Sequence, residues 1–292
     1  MVTGVLTRRA FVGCGALALW SGGACRAFAQ PQARLAAIDW GMYETAVAIG
    51  VTPVAVAERI RLAQVSAVRV PGSVADLGLR GAPNLEALSL VAPDLVLSSN
   101  FYGFITPQLE RIAPVYARDL FVAGEAPLPK TLVALETLAA QLGMADAGRT
   151  RRAGIEAELD ALARRAASLG DRAICLLAIG DARHVQMFGA DSLYGGVLTR
   201  LGLSNGWSEG TRFAFTAPVP LARLADFPDA RIVVCGAVPV AVRHALAGSV
   251  LWNSLPAVRA GRVHFLPDEN PFGGAPSALR LARHVVAALE AA

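Results

Sequence analysis

Apolar segments bounded by Gly, Pro and Asp alternate with amphipathic stretches through the first half of the chain. Short apolar runs of this kind are typical of buried strands, and apolar positions three or four residues apart are typical of helices. The alternation predicts a lobe built from βαβ units. The predicted strands are 34–40, 52–58, 93–99 and 113–119, and the predicted helices are 43–50, 84–92 and 106–113.

The pattern changes after Pro129. Residues 131–144 form one predicted helix, and residues 145–170 form a longer one that is rich in Ala, Arg and Glu. A helix of about 24 residues spans roughly 36 Å, so the second one is long enough to bridge two lobes. Strand and helix patterns then alternate again to the end of the chain. The predicted strands of this part are 172–180, 184–189, 230–237 and 261–267, and the predicted helices are 191–202, 240–248, 249–256 and 277–292.

These patterns predict an α/β protein with two Rossmann-like lobes. A single long bridging helix, 144–169, would join an N-terminal lobe, 30–143, to a C-terminal lobe, 170–292. The cleft between two lobes is the usual place for a ligand, so we expect the binding site there.

The N-terminal 29 residues have the features of an export signal. Arg8 and Arg9 precede the apolar run Ala10–Trp20, and the segment ends in the cleavage motif Ala27-Phe28-Ala29. The string TRRAFVG resembles the twin-arginine signal, which export machinery reads as an address. We therefore predict a twin-arginine signal peptide at 1–29 and a mature protein in the periplasm. A membrane anchor, which would need about 20 apolar residues, is the alternative.

The charge of the chain and its lack of certain motifs argue against several classes of function. The chain has 27 basic residues, three of them within the first 29, so the remainder carries 24 basic against 23 acidic groups. A nearly neutral body without a basic face gives no support for nucleic-acid binding. The sequence contains no GxSxG, GxxxxGK[ST], HExxH or CxxC motif, so we expect no enzyme activity. His244, His264 and His284 are too widely spaced to indicate a metal site.

Two cysteines lie in the predicted signal and two in the mature part. Cys175 and Cys235 fall within apolar strands, where we expect buried free thiols, with a disulfide as the alternative. Cys25 follows Gly-Gly-Ala and is an alternative site of lipidation.

Residues that follow predicted strands are the best binding candidates, because such loops line the cleft of an α/β protein. Arg80 offers five donors in a rigid fork, which suits clustered oxygen acceptors. Tyr102 follows the strand 93–99, next to Phe101 and Phe104, and combines an apolar ring with a hydroxyl. A solvated arginine and aromatic residues that cap the core are the alternatives.

A second group of candidates lies in two loops of the C-terminal part, where core packing and contact with a ligand are equally open. The group consists of Trp207, Arg212, Phe213, Phe215 and Phe272.

Four longer stretches resemble bacterial periplasmic binding proteins for iron complexes and cobalamin. They are DLGLRGAPNLEALSLVAPDLVL, QLERIAP, ARHVQMFGADSLYGGVLTRLGLSNGW and LWNSLPAVRAGRVHFLP, and the third resembles the ferric-hydroxamate branch. The resemblance implies a monomer that binds an iron(III)–siderophore of hydroxamate type and passes it to an inner-membrane ABC permease and its ATPase. It also implies that Arg80 and Tyr102 hydrogen-bond the oxygens around the iron, which the siderophore itself carries, with no further cofactor.

The chain departs from this family at several positions. Ala214 stands where the family has a tryptophan, and Asn270 and Phe272 replace its last aromatic pair, which makes the expected pocket less aromatic. The two carboxylates that the family uses to dock on its permease align with Gln108 and Ala222. Two nearby acidic residues are the candidate substitutes, Glu110 and Asp226.

Three alternative functions are compatible with the sequence. The cargo could instead be haem, cobalamin, or a catecholate or citrate complex. An exported enzyme that processes a chelate is a second alternative, and a sensor that keeps the binding fold without transport is a third.

Overall fold

A computed structural model describes residues 33–211 and 215–291 of the protein. The predicted signal peptide 1–29, with Cys14 and Cys25, lies outside these ranges, as do Arg212 and Phe213. What the sequence predicts for these residues therefore stays a prediction.

Strands and helices alternate along the described chain, as the sequence pattern predicts. The strands are β1 Leu35–Ala37, β2 Ala55–Val56, β3 Ala75–Asp76, β4 Gly78–Leu79, β5 Ala82–Pro83, β6 Leu95–Ser99, β7 Val115–Arg118, β8 Ile174–Ala178, β9 His184–Phe188, β10 Thr216–Pro220, β11 Arg231–Val234 and β12 Val263–Phe265. The α-helices are α1 Trp40–Ala48, α2 Arg59–Val65, α3 Leu85–Leu90, α4 Thr106–Leu109, α5 Pro127–Gln141, α6 Ala145–Ala166, α7 Leu193–Arg200, α8 Val240–Ala247, α9 Val250–Ser254, α10 Pro256–Arg259 and α11 Ala275–Glu290. Two 3-10 helices complete the set, Asn100–Ile105 and Leu221–Asp226.

Ten of the strands form two five-stranded sheets, one in each lobe, and β4 and β5 form a separate antiparallel pair. The first sheet has the order β3-β2-β1-β6-β7, and all of its pairs are parallel. The second has the order β10-β9-β8-β11-β12, in which β9 is antiparallel to both of its neighbours, β8 and β10, and the other two pairs are parallel. In each sheet the strand order reverses beside the first strand, between β1 and β6 and between β8 and β11. Such reversals open a crevice at the carboxyl ends of the strands, where open α/β sheets bind ligands.

A helix cap fixes the turn out of the first strand. Asp39 lies two residues after β1, and its Oδ1 atom accepts a hydrogen bond of 2.8 Å from the Met42 amide at the start of α1. A side-chain oxygen at this position satisfies an amide that has no partner within the helix. The short β1–α1 connection therefore places Asp39 and Trp40 at the crevice of the first sheet.

A layer of helices lies beside the two sheets. The long helix α6 covers most of the predicted bridging segment and packs against α5 and α11, while α1 packs against α5 and α11. One hydrophobic core includes Leu35 and Leu97 of the first sheet, Ile174 and Val233 of the second, and buried residues of these helices. The two lobes therefore share a continuous apolar interior.

Within the described residues, no helix is both long enough and apolar enough to cross a membrane.

Candidate functional site

The candidate site begins at the crevice of the first sheet. Asp39 and Trp40 follow β1, and Phe101 and Tyr102 lie in the 3-10 helix that follows β6. A cavity of about 280 Å³ opens here, and its lining combines charged, phenolic and apolar side chains from both lobes. The lining residues are Glu58, Arg80, Gly81, Phe101, Tyr102 and Phe272.

Arg80 is held in this cavity from two sides. It lies in the turn between β4 and β5, and its Nε atom is 2.9 Å from Oε2 of Glu58. Its guanidinium carbon lies 3.8 Å from the centroid of the Trp40 ring, in a cation–π arrangement. The Trp40 indole is itself fixed, because Nε1 donates to the Ala57 carbonyl at 2.9 Å. The predicted contact residue Arg80 is therefore pre-oriented while 23% of its side chain stays exposed.

Tyr102 supplies a second donor to the same cavity. Burial is the main reason why the pKa of its phenol rises to about 12, and the nearby carboxylate of Asp39 raises it further. The Arg80 guanidinium acts in the opposite direction and lowers this pKa by a smaller amount. The phenol therefore keeps its proton at neutral pH and can donate a hydrogen bond.

A buried carboxyl lies behind these two residues. Asp39 is 2% exposed, and burial raises its pKa above the usual value, although hydrogen bonds from Met42 and Ser99 act against this. The Ser99 hydroxyl donates to Oδ2 of Asp39 at 2.8 Å. Asp39 thus ties the ends of β1 and β6 together beneath the cavity and is not exposed to a ligand.

Four phenylalanine rings meet where the two lobes face each other. The Phe101 ring centroid lies 5.2 Å from that of Phe121, 5.5 Å from that of Phe215 and 5.8 Å from that of Phe272. Phe121 is also within 5.7 Å of Phe215 and Phe272, so the four rings form one cluster. The structure thus brings the predicted residues Phe101, Phe215 and Phe272 together.

Phe121 and Glu58 are site residues that the sequence analysis missed. Both come just after strands, Phe121 after β7 and Glu58 after β2, so the rule that singled out Tyr102 also applies to them.

A second cavity of about 390 Å³ adjoins the first at Phe272 and reaches the crevice of the second sheet. Its lining includes Arg61, Gln186, Phe188, Thr216, Gly236, Asp268 and Phe272. Nη1 of Arg61, on α2 of the first lobe, is 3.1 Å from Oδ2 of Asp268 in the second lobe. Residues of both lobes therefore line each cavity, as expected for a cleft between lobes.

Two predicted ligand contacts are corrected by the structure. Trp207 is 3% exposed and packs in the core of the second lobe against Phe227, and it lines neither cavity of the cleft. Asn270 is fully buried, and its Nδ2 atom donates to Oε1 of Glu44 at 3.1 Å. The loop pattern did not show these positions to be buried, because packing from distant parts of the chain covers them.

The candidate docking residues both lie on the surface. Glu110 is exposed at the end of α4. Asp226 is exposed at the end of a 3-10 helix, and its Oδ2 atom is 3.2 Å from Nη1 of Arg223. To bind an arginine of a permease, Asp226 would have to leave this ion pair. Their role in docking stays a prediction.

Cysteine and histidine offer no reactive site in the described part of the chain. Cys175 and Cys235 are buried free thiols, as predicted, and burial raises the pKa of both, that of Cys175 to about 12. No group of three or more His, Cys, Asp or Glu side chains among the described residues is arranged to hold a metal ion. What the cleft offers is therefore hydrogen-bond donors and apolar area.

Comparisons with known proteins agree on one family. A family model described as periplasmic binding protein matches residues 35–270. The iron(3+)-hydroxamate-binding protein FhuD of Escherichia coli is 32% identical over 282 residues, which cover 96% of this chain and 95% of the relative. The Fe(3+)-citrate-binding protein YfmC of Bacillus subtilis is 23% identical, with 79% of this chain and 72% of the relative covered.

A solved structure supports the same assignment. FhuD of Vibrio cholerae, bound to Fe3+–Desferal, superposes with a TM-score of 0.81 at 26% identity, over 88% of this chain and 98% of that chain. This similarity confirms the two-lobed α/β fold, and the relatives are named as binding proteins rather than enzymes. The chain therefore belongs to the periplasmic binding protein family.

Proposed function

We propose that this protein binds an iron(III)–siderophore of the hydroxamate type in the periplasm and delivers it to an ABC permease and its ATPase. One observation carries the proposal. The guanidinium of Arg80 and the protonated phenol of Tyr102 reach a single cavity whose wall includes aromatic rings of both lobes.

The chemistry of a ferric hydroxamate suits this arrangement. Six hydroxamate oxygens surround the iron and can accept hydrogen bonds, while the chain that links them is largely apolar. Arg80 and Tyr102 would donate to the oxygens, and Phe101 and Phe272, the rings of the cluster that line the cavity, would pack against the linking chain. The siderophore supplies all the iron ligands, so no protein side chain needs to coordinate the metal.

The relatives support the same cargo, since one is named for iron(3+)-hydroxamate binding and another was solved with Fe3+–Desferal. Export through the twin-arginine pathway, action as a monomer, and docking through Glu110 and Asp226 belong to the same proposal. In transport, the loaded protein would present both lobes to the permease.

Titration with ferric Desferal and with a ferrichrome-type complex tests the cargo. The mature protein should bind at least one of them with a Kd below about 10 μM, which corresponds to about −7 kcal/mol. Arg80→Ala should weaken this binding at least tenfold, because hydrogen bonds to charged groups are worth about 1.5–3 kcal/mol. Arg111→Ala, an exposed arginine of the same lobe outside the cleft, is the matched control.

Two results would contradict the proposal. One is the failure of every ferric hydroxamate to bind, and the other is an Arg80→Ala variant that binds as tightly as the control. Haemin serves as a comparison ligand, because a tyrosine whose pKa is raised to about 12 is a poor source of the phenolate that would coordinate haem iron. We expect no Soret shift on adding haemin.

A further inference from the structure

The wall of the first cavity contains a carboxylate, Glu58, which neither the family comparison nor the proposed function requires. Glu58 joins β2 to α2, and its backbone has φ of 51° and ψ of 44°, in the left-handed region that residues other than glycine seldom adopt. Its amide donates to the Gly78 carbonyl at 2.7 Å, which anchors this conformation. Strained backbone of this kind is retained mainly where the residue has a function.

Glu58 compensates the charge of the residue proposed to contact the ligand. Its Oε2 atom accepts from Nε of Arg80 at 2.9 Å, and its Oε1 atom accepts from the Arg80 amide at 3.4 Å. The two side chains are exposed to similar extents, 24% for Glu58 and 23% for Arg80, and both line the cavity. A ligand in this cavity would therefore meet a negative and a positive group together.

Arg61, which lines the second cavity, and Arg280, which lies next to a lining residue of that cavity, are paired in the same way. Arg61 lies 3.1 Å from Asp268 across the second cavity. Beneath that cavity, Nε of Arg280 lies 2.8 Å from Oε2 of the buried Glu269. Both described arginines that line the two cavities, Arg80 and Arg61, thus have a carboxylate partner, and the described lining residues contribute no excess of positive charge.

This balance bears on the charge of the cargo. Three hydroxamates neutralise Fe3+, so a ferric tris-hydroxamate has no net charge, and one with a free amine, such as ferric Desferal, is a cation. A ferric tris-catecholate carries three negative charges. The described residues of the cleft provide no excess positive charge to attract such an anion, and in the partly buried first cavity Glu58 repels it.

We infer that Glu58 is a specificity-determining residue, through which the cleft selects neutral or cationic ferric complexes over anionic ones. This inference rests on the proposed function, because it concerns the same cavity and the same cargo. Glu58 would act in two ways, by cancelling the attraction of Arg80 for anions and by attracting a positively charged group of the ligand.

Three ferric chelates of different charge test the inference. They are ferric Desferal, its N-acetylated derivative, which has lost the amine charge, and a ferric tris-catecholate. We expect the wild type to bind both hydroxamates and to bind the catecholate at least tenfold more weakly. Glu58→Gln keeps an oxygen that can accept from Arg80, and it should bind the catecholate at least tenfold more tightly than the wild type does.

The same variant should lose threefold or more of any preference for ferric Desferal over its acetylated form. Glu86→Gln makes the same charge change on the exposed surface of the same lobe, and it should alter each Kd less than twofold. Measurements at low and high salt add a readout from the wild type alone, since its catecholate binding should improve as salt screens the repulsion.

The outcomes separate this inference from the proposed function. If neither hydroxamate binds to the wild type, the proposed function fails. If the hydroxamates bind but the wild type binds the catecholate equally well, or if a folded Glu58→Gln changes all three affinities by the same factor, the inference is overturned and the proposed function stands. Thermal unfolding of each variant verifies folding, and should Glu58→Gln not fold, the wild-type charge preference and its salt dependence decide.

Discussion

Arg80 shows how a flexible side chain can be oriented before a ligand arrives. An arginine loses considerable side-chain entropy when it is fixed in one position, and this loss weakens binding if it occurs on association. Here Glu58 and the Trp40 ring hold the guanidinium while a part of it stays exposed. The ordering therefore takes place during folding, and binding is left with a smaller entropic cost.

Arg80→Lys should not preserve function. A lysine keeps the charge but lacks the planar fork that can pair with Glu58, stack on Trp40 and donate to a ligand at the same time. We expect the Kd for ferric Desferal to rise about tenfold, as measured by isothermal titration calorimetry. Equal affinity in the lysine variant would show that only the charge at this position is used.

Tyr102 should make stability depend on alkaline pH. Burial raises its pKa from 10 to about 12, so the fold favours the protonated phenol, and this stabilisation is present below pH 10 and lost as the pH rises towards 12. In urea unfolding, Tyr102→Phe should lose less free energy of unfolding between pH 9 and pH 11 than the wild type, by at most about 2 kcal/mol. Tyr116→Phe, on strand β7, is the control for loss of a hydroxyl. If Tyr102→Phe loses as much free energy of unfolding between pH 9 and pH 11 as the wild type does, the pH dependence does not come from Tyr102.

The contact between helices α5 and α6 depends on one small residue. A Cβ atom built on Gly148 would lie 2.6 Å from Cβ of Ala139 and 2.8 Å from the Leu135 carbonyl oxygen, so the two helices approach closely at this point. Gly154, six residues further along α6, is exposed and has open space around it. The same substitution at the two positions should therefore have opposite effects.

Gly148→Ala should destabilise the protein by about 1–3 kcal/mol, because the helices would have to move apart. Gly154→Ala should stabilise it by about 0.5–1 kcal/mol, because alanine favours the helical conformation. Urea unfolding of both variants measures the difference. Equal effects would mean that helix propensity alone matters along α6.

Elements with a strong apolar pattern could be predicted from the sequence, and those defined by distant contacts could not. The strands at 93–99 and 172–180 and the long helix α6 appear where the pattern placed them. Helix α2, Arg59–Val65, was missed because only Leu62 and Val65 are buried on it, too few for a recognisable period. Strand β10, Thr216–Pro220, was also missed, because it contains two prolines, which seldom occur within strands. It pairs at the edge of its sheet, where proline is tolerated.

The candidate site was predictable to a similar extent. Arg80, Phe101, Tyr102 and Phe272 line the first cavity because they follow strands or lie in loops that face the cleft. Asn270 could not be placed from its loop alone, since its burial depends on Glu44, far away in the sequence.

At the scale of the whole molecule, a buried carboxylate fastens one lobe to the other. Glu44 on α1 is fully buried and accepts hydrogen bonds from several groups. These include the Ser277 hydroxyl at 2.8 Å and the Gly274 amide at 2.9 Å, both at the start of α11, and the Ser66 hydroxyl at 2.9 Å. The carboxylate therefore lies at the amino end of α11, where the helix dipole favours negative charge.

Glu44→Ala should destabilise the protein by about 3 kcal/mol or more, because several buried donors would lose their acceptor at once. Glu110→Ala, which removes an exposed carboxylate, should change the free energy of unfolding by less than about 0.5 kcal/mol. Chemical unfolding monitored by circular dichroism measures both values. A small effect at Glu44 would show that water replaces the lost acceptor.

The shared interior of the two lobes has a consequence for transport. A continuous core and a helical layer leave little room for one lobe to swing relative to the other, so small-angle scattering should give nearly equal radii of gyration with and without cargo. A permease would then meet almost the same outline in both forms, and empty copies would compete with loaded ones for its surface. Under iron-poor conditions, making more of this protein than there is chelate to fill it would slow iron import rather than speed it.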